Sequence, residues 1–580
     1  MEIFNMLQED STKQVKAIRY IETKVRRFFK VKSAPGHGIE HAERVARYAR
    51  MIAQKEHEST WLCEAQGWLH DVGRTSEYFN NPKKKTHHDL SFELLQEWFI
   101  KDKKLAGFFT YHEREELLYN IRYHWNDGAN KYKSALVLRD ADKLDLLGQD
   151  GIKRHFESPT VLDDTQRCIW FLINVLRGER LGTRIARKIA KENKLYDPFL
   201  VWIKNHLPKR RRVLCALSGG VDSAVSAYIL KRAGFDVTGV YMKNWSDKAG
   251  IKGECRWQDE RRDAMRVAAH IGIPFITLDF EKEYRARVVS YLFKEYKKGR
   301  TPNPDVLCNN VIKFPLLLKE ARKRGMDYVA TGHYARIIHE ERKKHFYLQQ
   351  AIDPNKDQTY FLHRLKEKEL SHVLFPLNLI WKDEVRVIAQ RAKLPVAGKE
   401  ESMGICFIGE VPIKKFLQQT IKQKHGDIVD TSGCVVGSHD GLYWYTEGQR
   451  HGLGIGGGAP YFVVHKDMKR NKLVVARGEN NQSLFSDKAY LEDVHWINTS
   501  PKNPHSCSMR LRHRQPLFEG TVRALNAREK KNAPRGATNV AIFKQKQRAV
   551  TLGQFAVFYD GARCLGGAVI AGVPPLGYTI

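Results

Sequence analysis

The sequence lacks the cysteine patterns of small proteins that are stabilised by disulfides or by zinc. Its 580 residues contain only nine cysteines, which are scattered and form no Cys-x-x-Cys pair. This pattern argues against a structural zinc ribbon and against a secreted disulfide scaffold. A reducing, cytoplasmic setting fits best, and in that setting individual cysteines can be reactive.

Long apolar runs are also absent. No stretch of about 18 apolar residues occurs, so we expect no membrane-spanning helix and no membrane partner. The first residues, MEIFNMLQED, lack the basic-then-apolar pattern of a signal peptide. Hydrophobic residues make up 42% of the chain, which is enough for proper cores, and the length predicts about three to five domains.

Acidic residues are too few to balance the basic ones. Lys and Arg number 98 against 66 Asp and Glu, which gives a formal net charge of +32. Basic clusters recur along the chain, as in KRRR at 209–212 and RLRHR at 510–514. Such an excess favours a polyanionic partner, with nucleic acid first, although charge alone does not exclude a generally basic protein.

The rhythm of apolar residues changes along the chain. Three- and four-residue steps predict a mostly helical domain over 1–206, and LPKRRR at 207–212 is typical of an exposed linker. Short apolar runs (DVTGVYM, PFITLDF, MDYVATG) then alternate with amphipathic segments over 210–417, which predicts a parallel α/β sheet. Short predicted strands (GLYWYT, PYFVVHKD, NKLVVAR, AVFYDG) indicate a small β domain at 418–482 and a β-barrel at 483–580.

The segment VLCALSGGVDS has the features of a phosphate-binding loop, which we call the cradle. Its glycines follow a predicted strand and precede a predicted helix, so backbone N–H groups and the helix N-terminus can face an anion. It lacks the signatures of a P-loop NTPase and of a dinucleotide fold. The segment resembles the PP-loop of the ATP pyrophosphatase superfamily, which implies ATP as substrate and Mg²⁺ held with the help of Asp222. The residues implied to line the ATP site are Ala216, Leu217, Ser218, Gly219, Gly220, Val221, Asp222 and Ser223.

Further motifs narrow this resemblance to one family. They are TPNPDVLCN (301–309), ATGHYARI (330–337), DPNKDQTYFL (353–362), ESMGICFIGE (401–410), TEGQRHGLGIGG (446–457) and VTLGQFAVFYDGARCLGGAVI (550–570). Together they resemble the tRNA-specific 2-thiouridylases over about 210–580. Two departures are Ala216-Leu217, where the family often has Gly-Met, and His513, where a tyrosine is usual.

The resemblance implies a sulfur transfer to the wobble uridine of tRNA. ATP would adenylate the C2 oxygen, and a persulfide on Cys406 would supply the sulfur. Cys308 would release that sulfur or relay it, leaving a Cys308–Cys406 disulfide to be reduced, and Asp305 would act as general acid or base. A cysteine desulfurase or a sulfur-relay protein is the implied donor.

Other family roles carry over to matching positions. Met242 and Gly332 would border the nucleotide, while Asn303, Pro304 and Asp305 would contact the target base. The residues implied to touch the tRNA are His333, Lys356, Asp357, Gln358, Arg512, His513 and Gln554.

The first 206 residues carry a constellation of their own: HGIEHAERV, WLHDVGR, HHDLS, YHWND and RDADKLDLLG. Histidines and aspartates in this order resemble the HD-domain phosphohydrolases, which implies a bound divalent transition metal. The implied ligands are His41, His70, Asp71 and Asp142, with His88 and His124 as candidates for a second metal.

Two rival functions follow from the same sequence. One is another PP-loop enzyme, such as an amidating ligase, which would not depend on Cys308 or Cys406. The other is a tRNA-binding protein whose HD domain senses nucleotides. The fold we expect is an all-α HD domain, an α/β PP-loop domain, a small β domain and a C-terminal barrel, in a chain that we expect to be a monomer.

Overall fold

The structure is a computed structural model. It describes residues 2–31, 38–75, 86–124, 129–157, 162–178, 181–246, 257–340, 344–400, 417–418, 421–456 and 458–574. The chain forms two compact units, Met1–Leu207 and Pro208–Ile580.

The secondary-structure elements that the structure describes in unit 1 are all helices. Its helices are α1 Glu2–Val31, α2 Ile39–Glu56, α3 Thr60–Leu69, α4 His87–Lys101, α5 Lys103–Gly107, α6 Tyr111–Tyr123, α7 Lys133–Asp145, α8 Gly148–Glu157, α9 Asp164–Gly178, α10 Arg184–Glu192 and α11 Asp197–His206. The helical prediction for this part of the chain is confirmed.

Two glycines let the elements of unit 1 approach one another closely. A Cβ on Gly67 of α3 would lie 2.5 Å from the Cα of Ala46 on α2. A Cβ on Gly73 would lie 2.1 Å from the backbone nitrogen of Ser91 on α4. Because a larger residue would push these elements apart, the glycines set the distances between His41 on α2, His70 just after α3 and the histidines of α4.

Unit 2 begins with a five-stranded parallel sheet in the order β3-β2-β1-β4-β7. The strands are β1 Arg212–Ala216, β2 Asp236–Lys243, β3 Phe275–Asp279, β4 Tyr328–Ala330 and β7 Val373–Leu374. The order reverses direction at β1, so the loop after β1 leaves the sheet beside the switch point, where open α/β sheets bind ligands. The predicted parallel sheet is therefore confirmed.

Helices follow these strands. They are α12 Val221–Arg232, α13 Trp257–Ile271, α14 Glu281–Tyr284, α15 Ser290–Lys297, α16 Pro304–Cys308, α17 Phe314–Lys323, α18 Thr359–Leu362, α19 Glu367–Leu370 and α20 Lys382–Arg391. A π-helical segment, Asn309–Lys313, joins α16 to α17, and another, Arg285–Val289, joins α14 to α15. Such segments occur frequently at functional sites.

Two β structures complete unit 2. The middle domain is a sheet in the order β10-β11-β8-β9, formed by β8 Gly426–Asp430, β9 Val435–His439, β10 Tyr461–Asp467 and β11 Lys472–Arg477. The C-terminal strands are β12 Phe485–Trp496, β13 His505–Arg510, β14 Phe518–Ala524, β15 Asn539–Arg548, β16 Phe555–Asp560 and β17 Arg563–Gly572, with helix α21 Ala527–Asn532 before β15. They close into a six-stranded barrel because β12 also pairs with β17.

The barrel and the α/β domain share one sheet. The hairpin of β5 Arg336–Glu340 and β6 His345–Gln349 belongs to the α/β domain by sequence, and β6 pairs antiparallel with β17 of the barrel. One continuous core accordingly contains residues of both domains, such as Leu214, Phe314 and Phe555. The pairing of β6 with β17 therefore holds the barrel against the α/β domain.

One predicted strand is wrong. GLYWYT at 441–446 forms a 3₁₀ turn, Leu442–Trp444. Gly441 adopts φ +152°, and a Cβ there would lie 2.8 Å from the indole nitrogen of Trp444, so the chain turns instead of extending. Leu442 is buried in the core of the middle domain. Within the described part of the chain, every helix is too short or too polar to cross a membrane.

Candidate active site and metal centre

The loop after β1 is shaped as an anion cradle. Gly219 has φ +76°, and a Cβ there would lie 2.5 Å from the carbonyl oxygen of Glu260, so only glycine fits. The Ser223 hydroxyl accepts from the Ser218 N–H at 3.1 Å and donates to the Gly220 carbonyl at 3.0 Å. Gly220 is the N-cap of α12 and has no side chain with which to cap it. The N–H groups of the first turn of α12 therefore remain available to a bound phosphate.

Two lysines that sequence reasoning missed lie beside this cradle. The Lys382 ammonium donates to Asp222 Oδ1 at 2.5 Å, and that oxygen also accepts from the Tyr334 hydroxyl at 2.8 Å. The Lys399 ammonium donates to the Gly219 carbonyl at 3.0 Å and to Asp263 at 2.8 Å. Neither lysine lies within a motif quoted above, although Lys399 stands two residues before ESMGICF.

The remaining residues predicted for the nucleotide surround the same loop. A Cβ on Gly332 would lie 2.8 Å from the backbone of Asp222 and Ser223, so glycine is required for ATGHYARI to approach the cradle. Met242 is buried near the carboxyl end of β2, and Leu217 is buried as well. The structure thus brings together Met242, Gly332 and the cradle at one edge of the sheet.

The segment 301–309 places a short helix next to the core. Asn303 is the N-cap of α16, and its side-chain oxygen accepts from the Val306 N–H at 3.2 Å. Pro304 occupies the first turn, where its missing N–H costs nothing, and Asp305 follows it. Cys308 ends the helix, and its side chain is 1% exposed. Cys406 and Gly404 lie in 401–416, outside the described residues. The predicted Cys308–Cys406 pairing therefore also falls outside what the structure describes.

The residues predicted to touch tRNA hold loops together in this structure. Asp357 is buried, accepts from Arg510 at 3.2 Å, and so joins the 353–362 loop to the barrel. The His513 ring lies 4.5 Å from the Phe361 ring, and its Nε2 donates to the Asp357 carbonyl at 3.1 Å. His513 therefore makes aromatic and polar contacts in the position where the family usually has tyrosine.

Other residues predicted to touch tRNA also form hydrogen bonds within the protein. They are Gln554, Arg512, Gln358 and His333. Gln554 donates to the Thr301 carbonyl at 2.8 Å, and Arg512 donates to the Thr551 hydroxyl at 3.2 Å. Gln358 accepts from the Tyr334 N–H at 2.9 Å.

Burial determines the charge of one of these groups. Burial lowers the pKa of His333 well below its ordinary value, so the ring is neutral at pH 7. Its Nδ1 lies 2.7 Å from the Thr331 hydroxyl. Lys356 is half-buried in the same 353–362 loop.

In unit 1, three of the four predicted metal ligands, His41, His70 and Asp71, have ligand atoms within 4.8 Å of one another, and the fourth, Asp142, lies beside both imidazoles. His41 Nε2 lies 3.1 Å from His70 Nε2, 3.4 Å from Asp71 Oδ2 and 3.7 Å from Asp142 Oδ1. Donor atoms about 2.1 Å from a common tetrahedral ion would be about 3.4 Å apart. The two imidazoles and the Asp71 carboxylate form a donor set that suits a divalent transition metal, and Asp142 is the adjacent candidate for a fourth ligand.

Hydrogen bonds orient both imidazoles. The Nδ1–H of His70 donates to the Gly67 carbonyl at 2.9 Å, which leaves the Nε2 lone pair facing the other donors. His41 Nδ1 lies 2.7 Å from Asp145 Oδ2, and Asp145 also accepts from Arg154 at 2.6 Å and from Arg44. These contacts are the kind that fix tautomer and ring angle at metal sites.

A second group of histidines adjoins the first. Ligand atoms of His87, His88 and His124 lie within 4.8 Å of one another, and His87 Nε2 lies 3.6 Å from Asp71 Oδ1. Burial, together with the charge of His70, lowers the pKa of His124 to about 4, so its ring is neutral and able to coordinate. His87 was missed by the sequence reasoning, although the HHDLS motif displays it.

The helical unit carries the histidine and aspartate cluster of an HD domain, and the parallel sheet carries a PP-loop at its switch point. These two features define an HD domain joined to an ATP-pyrophosphatase-like enzyme. Family models match accordingly: an HD domain at 38–147, a tRNA methyl transferase HUP domain at 211–410, a PRC-barrel domain at 414–477 and an aminomethyltransferase β-barrel domain at 486–570.

Curated relatives are tRNA-specific 2-thiouridylases. The chain is 46% identical over 368 residues to MnmA 2 of Geobacillus kaustophilus, covering 63% of this chain and 96% of that protein. It is 46% identical over 366 residues to MnmA of Bacillus subtilis, covering 63% and 95%. The chain therefore belongs to the MnmA family of tRNA-specific 2-thiouridylases, with an additional N-terminal HD domain. Among solved structures, it is similar to Bacillus subtilis YpgQ in complex with ADP, with 20% identity, TM-score 0.26, and coverage of 33% of this chain and 94% of that one.

Proposed function

We propose that unit 2 converts the C2 oxygen of a wobble uridine in tRNA to sulfur, at the expense of ATP cleaved to AMP and pyrophosphate. The observation that carries the proposal is a glycine cradle flanked by Lys382 and Lys399, in the same unit as helix α16, in a member of the 2-thiouridylase family. The net charge of +32 suits a tRNA substrate.

In the first step, the cradle binds the phosphates of ATP. The N–H groups of α12 would hold the leaving pyrophosphate, and the Lys382 and Lys399 ammonium groups would neutralise charge as it develops there. Asp222, which Lys382 and Tyr334 hold in place, would bind Mg²⁺, and its carboxylate is the hard donor this ion prefers. The uridine O2 attacks the α-phosphorus, pyrophosphate leaves, and an O2-adenylated uridine forms.

In the second step, sulfur replaces the activated oxygen. The Cys308 thiolate attacks the inner sulfur of the Cys406 persulfide and forms the Cys308–Cys406 disulfide, so hydrosulfide is released to attack C2. AMP then leaves with the former O2, and Asp305 handles the proton. Two electrons from a dithiol reductant restore both thiols. A direct attack of the persulfide on C2, followed by release by Cys308, gives the same balance.

Replacing Cys406 tests the sulfur step. We expect Cys406→Ser to abolish 2-thiouridine while tRNA affinity stays within twofold, because serine cannot carry a persulfide. The assay combines protein, ATP, Mg²⁺, unmodified tRNA and a persulfide donor, followed by mass spectrometry of the digested tRNA. Cys434→Ser is the matched control, because Cys434 is exposed and lies outside the site. Undiminished 2-thiouridine in Cys406→Ser would refute the assignment. ATP cleavage that depends on neither Cys308 nor Cys406 and yields no 2-thiouridine would favour another PP-loop reaction.

For unit 1, we propose a metal-dependent phosphohydrolase. The supporting observation is the adjacency of the two clusters, in which Asp71 directs one oxygen to His41 and the other to His87. A bound divalent ion supplies a Lewis acid for phosphoester hydrolysis. His41, His70, Asp71 and Asp142 would hold one ion, with His87, His88 and His124 as donors for a second.

Metal content separates this proposal from a metal-free sensor. We expect His70→Ala and Asp71→Ala to lower the divalent metal bound per chain, as measured by plasma mass spectrometry after dialysis, and to abolish metal-dependent hydrolysis of a generic phosphodiester. His57→Ala is the matched control, because His57 lies at the end of α2, away from both clusters. Equal metal content in parent and variants would contradict the proposal.

A further inference from the structure

The backbone just before α16 is held from the barrel side. The Thr301 N–H donates to the Leu552 carbonyl at 2.8 Å, and Gln554 donates to the Thr301 carbonyl at 2.8 Å. Gln554 Oε1 also accepts from the Asn303 side chain at 3.3 Å. Both backbone groups of Thr301 are therefore engaged by the segment 552–554, two residues before the α16 N-cap.

The Thr301 side chain is held from the middle domain. Lys466 of β10 donates to the Thr301 hydroxyl at 3.4 Å and to the Tyr445 carbonyl at 2.9 Å. The Thr446 hydroxyl lies 3.4 Å from the Thr301 hydroxyl. Three domains of unit 2 thus meet at a single residue of the 301–309 segment.

Lys466 is an unusual residue for this position. Its side chain is 2% exposed, and its ammonium lies 3.7 Å from the buried carboxylate of Glu447. Burial lowers its pKa, and the Glu447 carboxylate opposes that effect. Lysines are almost never this buried, and an apolar side chain of the same length would avoid the desolvation cost. The feature that an apolar residue lacks is the donor that reaches both Tyr445 and Thr301.

We propose that Lys466 is a positioning residue that ties the TEGQRHG loop of the middle domain to the 301–309 segment and thereby orients Asp305 and Cys308. This role rests on the proposed thiouridylase function. It acts through Thr301, because Lys466 lies on a different domain from the cradle and its contacts run to Tyr445, Thr301 and Glu447. Since α16 is only five residues long, a shift at Thr301 is transmitted directly to Asp305.

The test compares Lys466→Met with Lys466→Arg, Thr301→Val and the double variant Lys466→Met/Thr301→Val. We expect Lys466→Met to lower kcat for 2-thiouridine formation by about 10- to 100-fold, because small displacements of reacting groups cost that much. KM for ATP should stay within twofold, and Lys466→Arg should recover part of the loss. The double variant should be no worse than the poorer single variant, because both changes break one contact. Lys469→Met, an exposed lysine of the same domain, is the matched control.

Hydrogen exchange provides a readout that is independent of activity. Lys466→Met should speed amide exchange in a peptide covering 299–308 at least about tenfold, with the 212–223 peptide unchanged. Uniformly faster exchange would mean general destabilisation, and multiplicative effects in the double variant would mean that the two residues act separately. Either result would overturn the proposal. If the parent protein made no 2-thiouridine, the proposed function would fail, whereas the exchange experiment would still decide the role of Lys466.

Discussion

The metal cluster of unit 1 and the phosphate cradle of unit 2 are built from different parts of the chain. The cluster consists of side-chain donors from α2, from the end of α3 and from α7, and hydrogen bonds to Asp145 and Gly67 aim its imidazoles. The cradle consists of backbone from six consecutive residues, and the groups that support it from a distance include two lysines, Tyr334 and Gly332. A side-chain site therefore depends on outer contacts, whereas a backbone site depends on glycine conformation and on nearby charge.

The largest expected effect concerns the charge beside the cradle. We expect Lys382→Met to reduce tRNA-dependent pyrophosphate release by about 10²- to 10³-fold, the usual cost of losing one group that stabilises developing charge. Release is measured with a coupled enzyme assay at saturating ATP. Lys368→Met, an exposed lysine on α19, is the control. A loss of less than threefold would mean that Lys382 only neutralises Asp222, and that the cradle works by backbone alone.

A smaller effect is expected from the outer contacts of the metal cluster. Asp145→Asn should weaken divalent metal binding by about 10- to 100-fold, because it loosens His41 without removing a ligand. Competition with a chromogenic chelator measures the affinity, and a thermal melt shows whether the variant is folded. Asp150→Asn is the control, because Asp150 is exposed and lies 3.8 Å from Arg44. Unchanged affinity in a folded variant would show that the ligands alone position the metal.

The smallest effect concerns a structural carboxylate away from both sites. Burial would raise the pKa of Asp102, but hydrogen bonds from Lys24, the Leu105 N–H and Tyr20 outweigh it and lower the pKa to about 2. Because the folded pKa is below the ordinary 3.8, Asp102 adds stability above pH 4 that is lost as the pH falls through 2.

Asp102→Asn should therefore lower the free energy of unfolding by about 1 kcal/mol at pH 7, measured by urea titration of the full chain. The difference from the parent should shrink between pH 4 and pH 2. Asp197→Asn, at an exposed position in unit 1, should change little at either pH. A difference that grows on acidification would contradict the assigned ion pair.

Residues that act through a contiguous motif were readily predicted. The conformation of SGGVDS follows from its residues, because glycine at 219 permits a positive φ and glycine at 220 leaves the start of α12 without a side-chain cap. WLHDVGR likewise supplied the predicted metal ligands His70 and Asp71, and HHDLS supplied the candidate His88. Lys382, Lys399 and Lys466 were not predicted, because each contacts a site residue more than 100 residues away in the sequence. A lone lysine in a basic chain also resembles any surface lysine.

By itself the sequence determined the helical unit 1, the strand–helix alternation, the phosphate loop and the candidate metal ligands, because these depend on local periodicity and on residue type. Only the tertiary structure decided which lysines flank the cradle, that β6 extends the barrel sheet, that His87 joins the second histidine group, and that Lys466 reaches Thr301. These features depend on the packing of segments far apart in the chain, where burial and close approach select contacts that no local pattern contains.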